Sequence, residues 1–289
     1  NKEHQLKTLY ISDLDGTLLN SGAVLSDYTA DKINSLIERG MYFTFATART
    51  IYSAGDIVRN LNINVPCILN NGAEIYDINS GQYVKNAYIN PDTARRIVRA
   101  FRDNGLKCFV FKFIDGRLAT CYDNIVNENM RSYVSERRNK FNQPFIECAD
   151  VENVLDGTAV YINSIGSYES LLPVRNAVMS MKDADCAFYC DTYTHEWYLE
   201  IFSSTASKGN GLKFLRQKYG FEQIIAFGDN LNDLSMFEQA DIKIAVGNAD
   251  SAIRTKADII TDTNDKNGVA DFLLNNYDII EKTGKPVII

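Results

Sequence analysis

Short apolar runs alternate with helix-patterned segments at both ends of this chain, and that alternation constrains its fold more than any other feature. From Lys7 to about Ile75 come a strand-like Leu9 to Ile11, a helix from the N-capping Ser26 to Arg39 closed by Gly40, and a strand Tyr42 to Thr47. A helix around Ser53 to Asn60 and a strand Cys67 to Leu69 follow. The pattern resumes from Lys208, with helix Gly209 to Tyr219, strand Gln223 to Phe227 and helix Asp233 to Gln239. Strand Ile242 to Ala245, helix Ser251 to Thr255 and strand Asp258 to Thr261 complete it. Alternation implies a parallel sheet, so the two ends are expected to form one doubly wound α/β domain.

The middle of the chain has a different rhythm. After Pro91, the residues Ala94, Ile97, Val98 and Phe101 recur at helical spacing, and Lys107 to Phe113 and Arg117 to Tyr122 then flank an Asp115-Gly116 turn. A polar helical stretch near Asn124 to Phe141 and a strand Thr158 to Asn163 follow. Leu171, Val174, Val178 and Met181 mark another helix before strands Cys186 to Cys190 and Glu196 to Phe202. An antiparallel sheet with helices on one face, inserted at roughly 84–199 between the halves 1–83 and 200–289, fits this order.

Chemistry concentrates at two strand ends. Asp13-Leu14-Asp15-Gly16-Thr17-Leu18-Leu19 follows the first apolar run, and alternation places Asp13 and Asp15 on one side of an extended backbone. Two like charges there call for a cation or a shared proton. Alone, such a stretch is more often an acidic turn. Far along the chain, however, Gly228-Asp229-Asn230-Leu231-Asn232-Asp233 follows the run Ile224 to Phe227 in the same way. In an open parallel sheet, ligands lie outside the carboxyl ends of the strands, so acids at two neighbouring ends converge. Thr47 closes another strand, and Lys208 opens a helix.

Taken in order as D-x-D-G-T, T, K and G-D-x-x-N-D, these segments resemble the four motifs of the haloacid dehalogenase superfamily. The last motif and Asn70-Asn71-Gly72-Ala73 resemble its Cof-type sugar-phosphate phosphatase branch, and the inserted segment is similar to the type-two cap of that branch. The resemblance implies a Rossmann-like core with an α+β cap that selects substrate, and hinges near Gln82 to Lys85 and Leu199 to Ser203. It implies Asp13 as nucleophile and Mg²⁺ ligand, the Asp15 main-chain carbonyl and Asp229 as further ligands, and Asp233 as support for the metal shell. Asp15 becomes the general acid and base, while Thr47, Lys208 and Asn232 hold the phosphoryl group. Arg49 is read as structural, either capping the following helix or, less favoured, orienting substrate. Two departures stand out: Ala48 where the branch has glycine, and Ser203 to Ser207 in place of a glycine-containing approach to the lysine.

Composition narrows the function classes. A chain of 289 residues can bury roughly three quarters of its unfolded surface. A net charge of −7 argues against nucleic acid as a partner, because that affinity comes from Lys and Arg neutralising phosphates. The six cysteines show no C-x-x-C pair and read as reduced core residues; a metal cluster of Cys186, Cys190 and His195 is disfavoured by the strand pattern around it. No apolar run approaches the ~20 residues a membrane span needs, so the expectation is a soluble, cytoplasmic protein without membrane partners. The leading function is a Mg²⁺-dependent phosphatase of small phosphorylated metabolites. A phosphotransferase or mutase with the same aspartyl-phosphate is the alternative, and a phosphorylatable signalling module is a third, disfavoured by the large insert and by Asp15 as a second acid.

Overall fold

The structure is a computed structural model that describes residues 6–190 and 195–287. The chain forms two compact units, Asn1–Lys85 with Ser207–Ile289, and Asn86–Ala206. The first begins with β1 (Thr8–Asp13), α1 (Asp27–Glu38), β2 (Tyr42–Ala46), α2 (Ile51–Ile57), β3 (Cys67–Leu69), β4 (Glu74–Asp77) and β5 (Gln82–Asn86). The second contains α3 (Pro91–Asp103), β6 (Phe109–Ile114), β7 (Arg117–Tyr122), α4 (Glu128–Phe141) and β8 (Phe145–Glu147). It continues with β9 (Ala159–Gly166), α5 (Tyr168–Met179), β10 (Ala184–Cys190) and β11 (Trp197–Ser203). The first unit is completed by α6 (Lys208–Tyr219), β12 (Gln223–Gly228), α7 (Leu234–Gln239), β13 (Ile242–Ala245), α8 (Ser251–Lys256), β14 (Ile259–Ile260) and α9 (Gly268–Thr283).

In the first unit one sheet runs β14-β13-β12-β1-β2-β3-β4-β5. Strands from β14 through β3 are parallel, which their helical connections require, and β4 joins antiparallel to β3. β1 is central and buried along its whole length. The helices bury their apolar stripes against this sheet. In α1 these are Ala30, Ile33 and Leu36, and the Ser26 side chain caps the helix by accepting from the Thr29 amide at 3.1 Å. α9 buries Val269, Phe272, Leu273, Tyr277 and Ile280, which recur at helical spacing in the sequence.

The second unit has a six-stranded sheet in the order β10-β11-β9-β6-β7-β8. As expected, α3 starts on Pro91 and buries Ala94, Ile97, Val98 and Phe101. The long polar helix begins at Glu128 rather than near Asn124, because the Asn127 side chain caps it by accepting from the Met130 amide at 2.8 Å. The crossings between units fall at 85/86 and 206/207 rather than 83/84 and 199/200. β5 runs through Asn86 in the first sheet, and β11 runs through Ser203 in the second. All six cysteines remain thiols, but only Cys67, Cys108 and Cys121 are buried; Cys148 and Cys186 are half-buried and Cys190 is exposed, so the core reading holds for half of them. Among the described residues no helix is long and apolar enough to cross a membrane.

Glu74, at the start of β4, is fully buried with one oxygen accepting from Asn70 Nδ2 at 2.9 Å and the other without a partner. Burial pushes its carboxyl up to about 7, with the Asn70 bond opposing. A carboxyl raised in the folded state binds its proton more tightly there than in the unfolded chain, so its contribution is full below the unfolded value and is lost as pH rises from ~4.5 to ~7. Glu74→Gln is therefore expected to raise stability at pH 8 by up to about 3 kcal/mol relative to its effect at pH 4.5, measured by urea unfolding at both pH values. An equal effect at both would show that Glu74 ionises freely.

Candidate active site

The register of three parallel strands brings the expected residues together. Ser12 of β1 lies opposite Phe227 of β12, and Asp13 opposite Ala46 of β2. Past Gly228, the last residue of β12, comes Asp229 on one side, and Thr47 follows Ala46 on the other, all at the carboxyl ends of adjacent strands. α6 begins at Lys208, capped by the Ser207 side chain, which accepts from the Asn210 amide at 2.9 Å. The helix start sits against the Asn70-Asn71-Gly72 turn: a Cβ on Gly72, at φ +97°, would fall 2.1 Å from the Ser207 carbonyl oxygen. Only glycine permits that approach.

Lys208 is the hub. Its fully buried ammonium donates to Asp13 Oδ1 at 2.5 Å and to Asp233 Oδ1 at 2.7 Å. The other Asp233 oxygen accepts from the amides of Asp229 and Asn230, at 2.9 and 3.1 Å, so both oxygens of this acid are engaged by protein donors. Asp229 Oδ1 accepts from the Thr17 hydroxyl at 2.8 Å. Carboxylate oxygens of Asp13, Asp229 and Asp233 lie within 4.8 Å of one another, the sole such group of His, Cys, Asp and Glu among the described residues. Cys186, Cys190 and His195 do not form one.

Electrostatics follow from this crowding. Burial raises the Asp13 carboxyl well above its ordinary range; Lys208 opposes the shift, while Asp233 and Asp229 add to it. Asp229 is pushed up to about 6 by burial and then by Asp233, against the Thr17 hydrogen bond. Burial alone would depress the Lys208 ammonium, but Asp13 and Asp233 outweigh it and hold the proton on. Three carboxylates around one ammonium leave negative charge uncompensated, and oxygen donors in that number suit a hard divalent cation.

Asp15 and Gly16 form the turn after β1. Their dihedrals, −69°/122° and 77°/−5°, are those of a type II turn, with glycine where φ must be positive. Gly16 also faces Asp229 so closely that a Cβ would lie 2.4 Å from Asp229 Oδ2. The Asp15 side chain is half exposed. Arg49 forks onto it, with Nε and Nη2 donating to the two Asp15 oxygens at 2.7 Å each. Arg49 therefore engages a predicted site residue, which its isolated place two residues after Thr47 did not disclose; that position on a strand-end loop was the available signal.

Thr47 is buried, and its hydroxyl accepts from the Arg49 amide at 3.2 Å. Asn232 donates from its side-chain amide to Asn71 Oδ1 at 3.2 Å, joining the last motif to the turn after β3. Ala48 has no positive φ, so its methyl group introduces no backbone strain. Of the Ser203 to Ser207 departure, Ser207 supplies the cap of α6 and Ser203 bonds Thr205 hydroxyl to hydroxyl at 2.9 Å.

Comparison with known proteins agrees with this geometry. Residues 10–273 match the family of haloacid dehalogenase-like hydrolases. The chain is 27% identical over 278 residues to a Bacillus subtilis 5-amino-6-(5-phospho-D-ribitylamino)uracil phosphatase, covering 90% of this chain and 95% of that protein. A second B. subtilis protein of the same name is 26% identical over 270 residues, covering 89% and 91%. A crystal structure of a Thermotoga maritima protein superposes with a TM-score of 0.74 at 28% identity, covering 91% of this chain and 94% of the other. The family match spans the central strand, the buried lysine and the acids around it, and the chain belongs to the haloacid dehalogenase-like hydrolases.

Proposed function

We propose that this chain is a Mg²⁺-dependent phosphatase that hydrolyses small phosphorylated metabolites, sugar phosphates foremost, through an aspartyl-phosphate on Asp13, and that it acts in the cytoplasm. The observation that carries the reading is the group of three carboxylates around the buried Lys208 ammonium at the ends of β1 and β12. Asp13, Asp229 and the Asp15 main-chain carbonyl would hold the ion. Asp233, with both oxygens already committed, would steady that shell from behind. When bound, the ion offsets the charge of the phosphate so that an anionic nucleophile can approach it.

The chain's own groups then divide the work. An Asp13 oxygen attacks phosphorus as the bond to the leaving oxygen breaks, and Asp15 delivers a proton to that oxygen. Water next attacks the phosphorus of the aspartyl-phosphate, Asp15 takes its proton, and the Asp13 carboxylate is released together with inorganic phosphate. Lys208, Thr47 and Asn232 would hold the phosphoryl oxygens, the lysine as a point charge and the others as neutral donors. Arg49, which forks onto both Asp15 oxygens, would orient that carboxyl group. The Bacillus subtilis relatives are named for a substrate with a phosphorylated ribityl chain, which supports a phosphate ester on a hydroxyl-rich carbon chain.

Asp13→Asn should abolish phosphate release while leaving the far-UV CD spectrum of the fold intact, because an amide cannot form the acyl phosphate. Near wild-type release from this variant would end the aspartyl-phosphate reading. Arg49→Ala should lower kcat by about tenfold, a fraction of the 10²–10⁴ available from general acid–base catalysis, since Asp15 remains but is no longer oriented; unchanged kcat would return Arg49 to a purely structural role. Excess EDTA should remove all activity, Mg²⁺ should restore it, and Ca²⁺ should inhibit, because looser and higher coordination would engage both Asp13 oxygens. Full turnover in EDTA would rule out the metal.

A further inference from the structure

We propose that Glu74 is a positioning residue for the phosphoryl-holding side of the site, acting through Asn70 on the turn after β3; the inference rests on the phosphatase reading above and adds to it a residue outside the reacting groups. The turn runs through three consecutive residues with positive φ: Asn70 at 45°, Asn71 at 54° and Gly72 at 97°. Glycine enters that region freely. Two residues with side chains do so in succession only where neighbouring groups hold them there.

Each residue of the turn reaches a different segment of the site. The Asn70 main-chain amide donates to the Arg49 carbonyl at 3.1 Å, and the Asn71 amide to the Thr47 carbonyl at 3.0 Å. The Asn71 side-chain oxygen takes one of the two amide hydrogens of Asn232 and leaves the other for a phosphoryl oxygen. Gly72 lies against the carbonyl of Ser207, the residue before Lys208. One turn therefore touches the segments that carry Thr47, Asn232 and Lys208, the three groups assigned above to the phosphoryl oxygens.

Glu74 closes this turn from the strand that follows it. It pairs with Leu69, the last residue of β3, and its Oε1 accepts from Asn70 Nδ2 at 2.9 Å, with both side chains buried. An apolar residue opposite Leu69 would fill the same space without desolvating a carboxyl group, and the second Glu74 oxygen has no partner to offset that cost. What the carboxyl supplies, and an apolar residue could not, is the acceptor that fixes the Asn70 side chain. Ionised or protonated, it keeps an acceptor oxygen, so the bond persists in either state. Asn70 so anchored holds the left-handed entry to the turn, from which the next two residues reach Thr47, Asn232 and Ser207.

The test uses the full chain with Mg²⁺, p-nitrophenyl phosphate as substrate and inorganic phosphate as competitive inhibitor. Glu74→Leu removes the acceptor, Asn70→Gly removes the donor while tolerating positive φ, and Glu74→Gln keeps an acceptor oxygen. Glu74→Leu and Asn70→Gly should each raise KM and the phosphate inhibition constant about tenfold, the worth of one ordinary hydrogen bond, with kcat within about threefold because Asp13 and Asp15 are untouched. Glu74→Gln should recover most of that affinity. The double variant Glu74→Leu/Asn70→Gly should be no worse than either single one, since both break the same bond. If Glu74→Leu does not fold, Asn70→Gly carries the test. Unchanged KM and inhibition constant in folded Asn70→Gly, additive losses in the double variant, or a fall in kcat alone would each overturn the positioning role and leave the phosphatase reading standing. A wild type that releases no phosphate from p-nitrophenyl phosphate or glucose 6-phosphate would instead overturn the phosphatase reading, and this inference with it.

Discussion

A single buried ammonium holds the site of this protein together. Lys208 meets Asp13 and Asp233 with no exposed surface of its own, and neither acid could remain ionised at that depth without it. Removing one member of such a group strands the others, which typically costs 3–5 kcal/mol. The lysine can be there only because a helix begins at that point, because Ser207 caps it, and because Gly72 has no side chain to keep the helix start away from the turn after β3. In the proposed reaction the same ammonium would also face the phosphoryl group.

Asp233 shows how far the surrounding bonds reach. It anchors Lys208 with one oxygen and fastens the backbone of its own loop, at Asp229 and Asn230, with the other. Asp229 in turn is tied to the turn after β1 by Thr17. The loops after β1 and β12 are therefore connected through side chains as well as through the sheet, which restricts where the two outward-facing acids, Asp13 and Asp229, can sit. Positioning of this kind lets a site act by electrostatics without reorganising during the reaction.

Much of this was legible in the sequence because it depends on alternation and order. Acids that directly follow apolar runs lie at strand ends, and two such ends meet when their strands are neighbours, as β1 and β12 are. Other features need three dimensions. Arg49 is an ordinary loop arginine until the turn at Gly16 presents the Asp15 carboxylate to it. β4 and β5 extend the sheet past a turn in which Asn70, Asn71 and Gly72 all have positive φ, a reversal that no apolar periodicity announces.

The central position of β1 carries a further consequence for how the chain is made. One of its two neighbours, β2, follows within about thirty residues, but the other, β12, begins at Gln223, after the whole second unit. A ribosome therefore releases the amino-terminal strands long before that partner exists, and the apolar edge of β1 must wait while the intervening unit is synthesised. Unpaired strand edges of this kind are the surfaces on which nascent chains associate wrongly. Early folding of the intervening unit would bring the ends of the long gap together and shorten the search that closes the sheet.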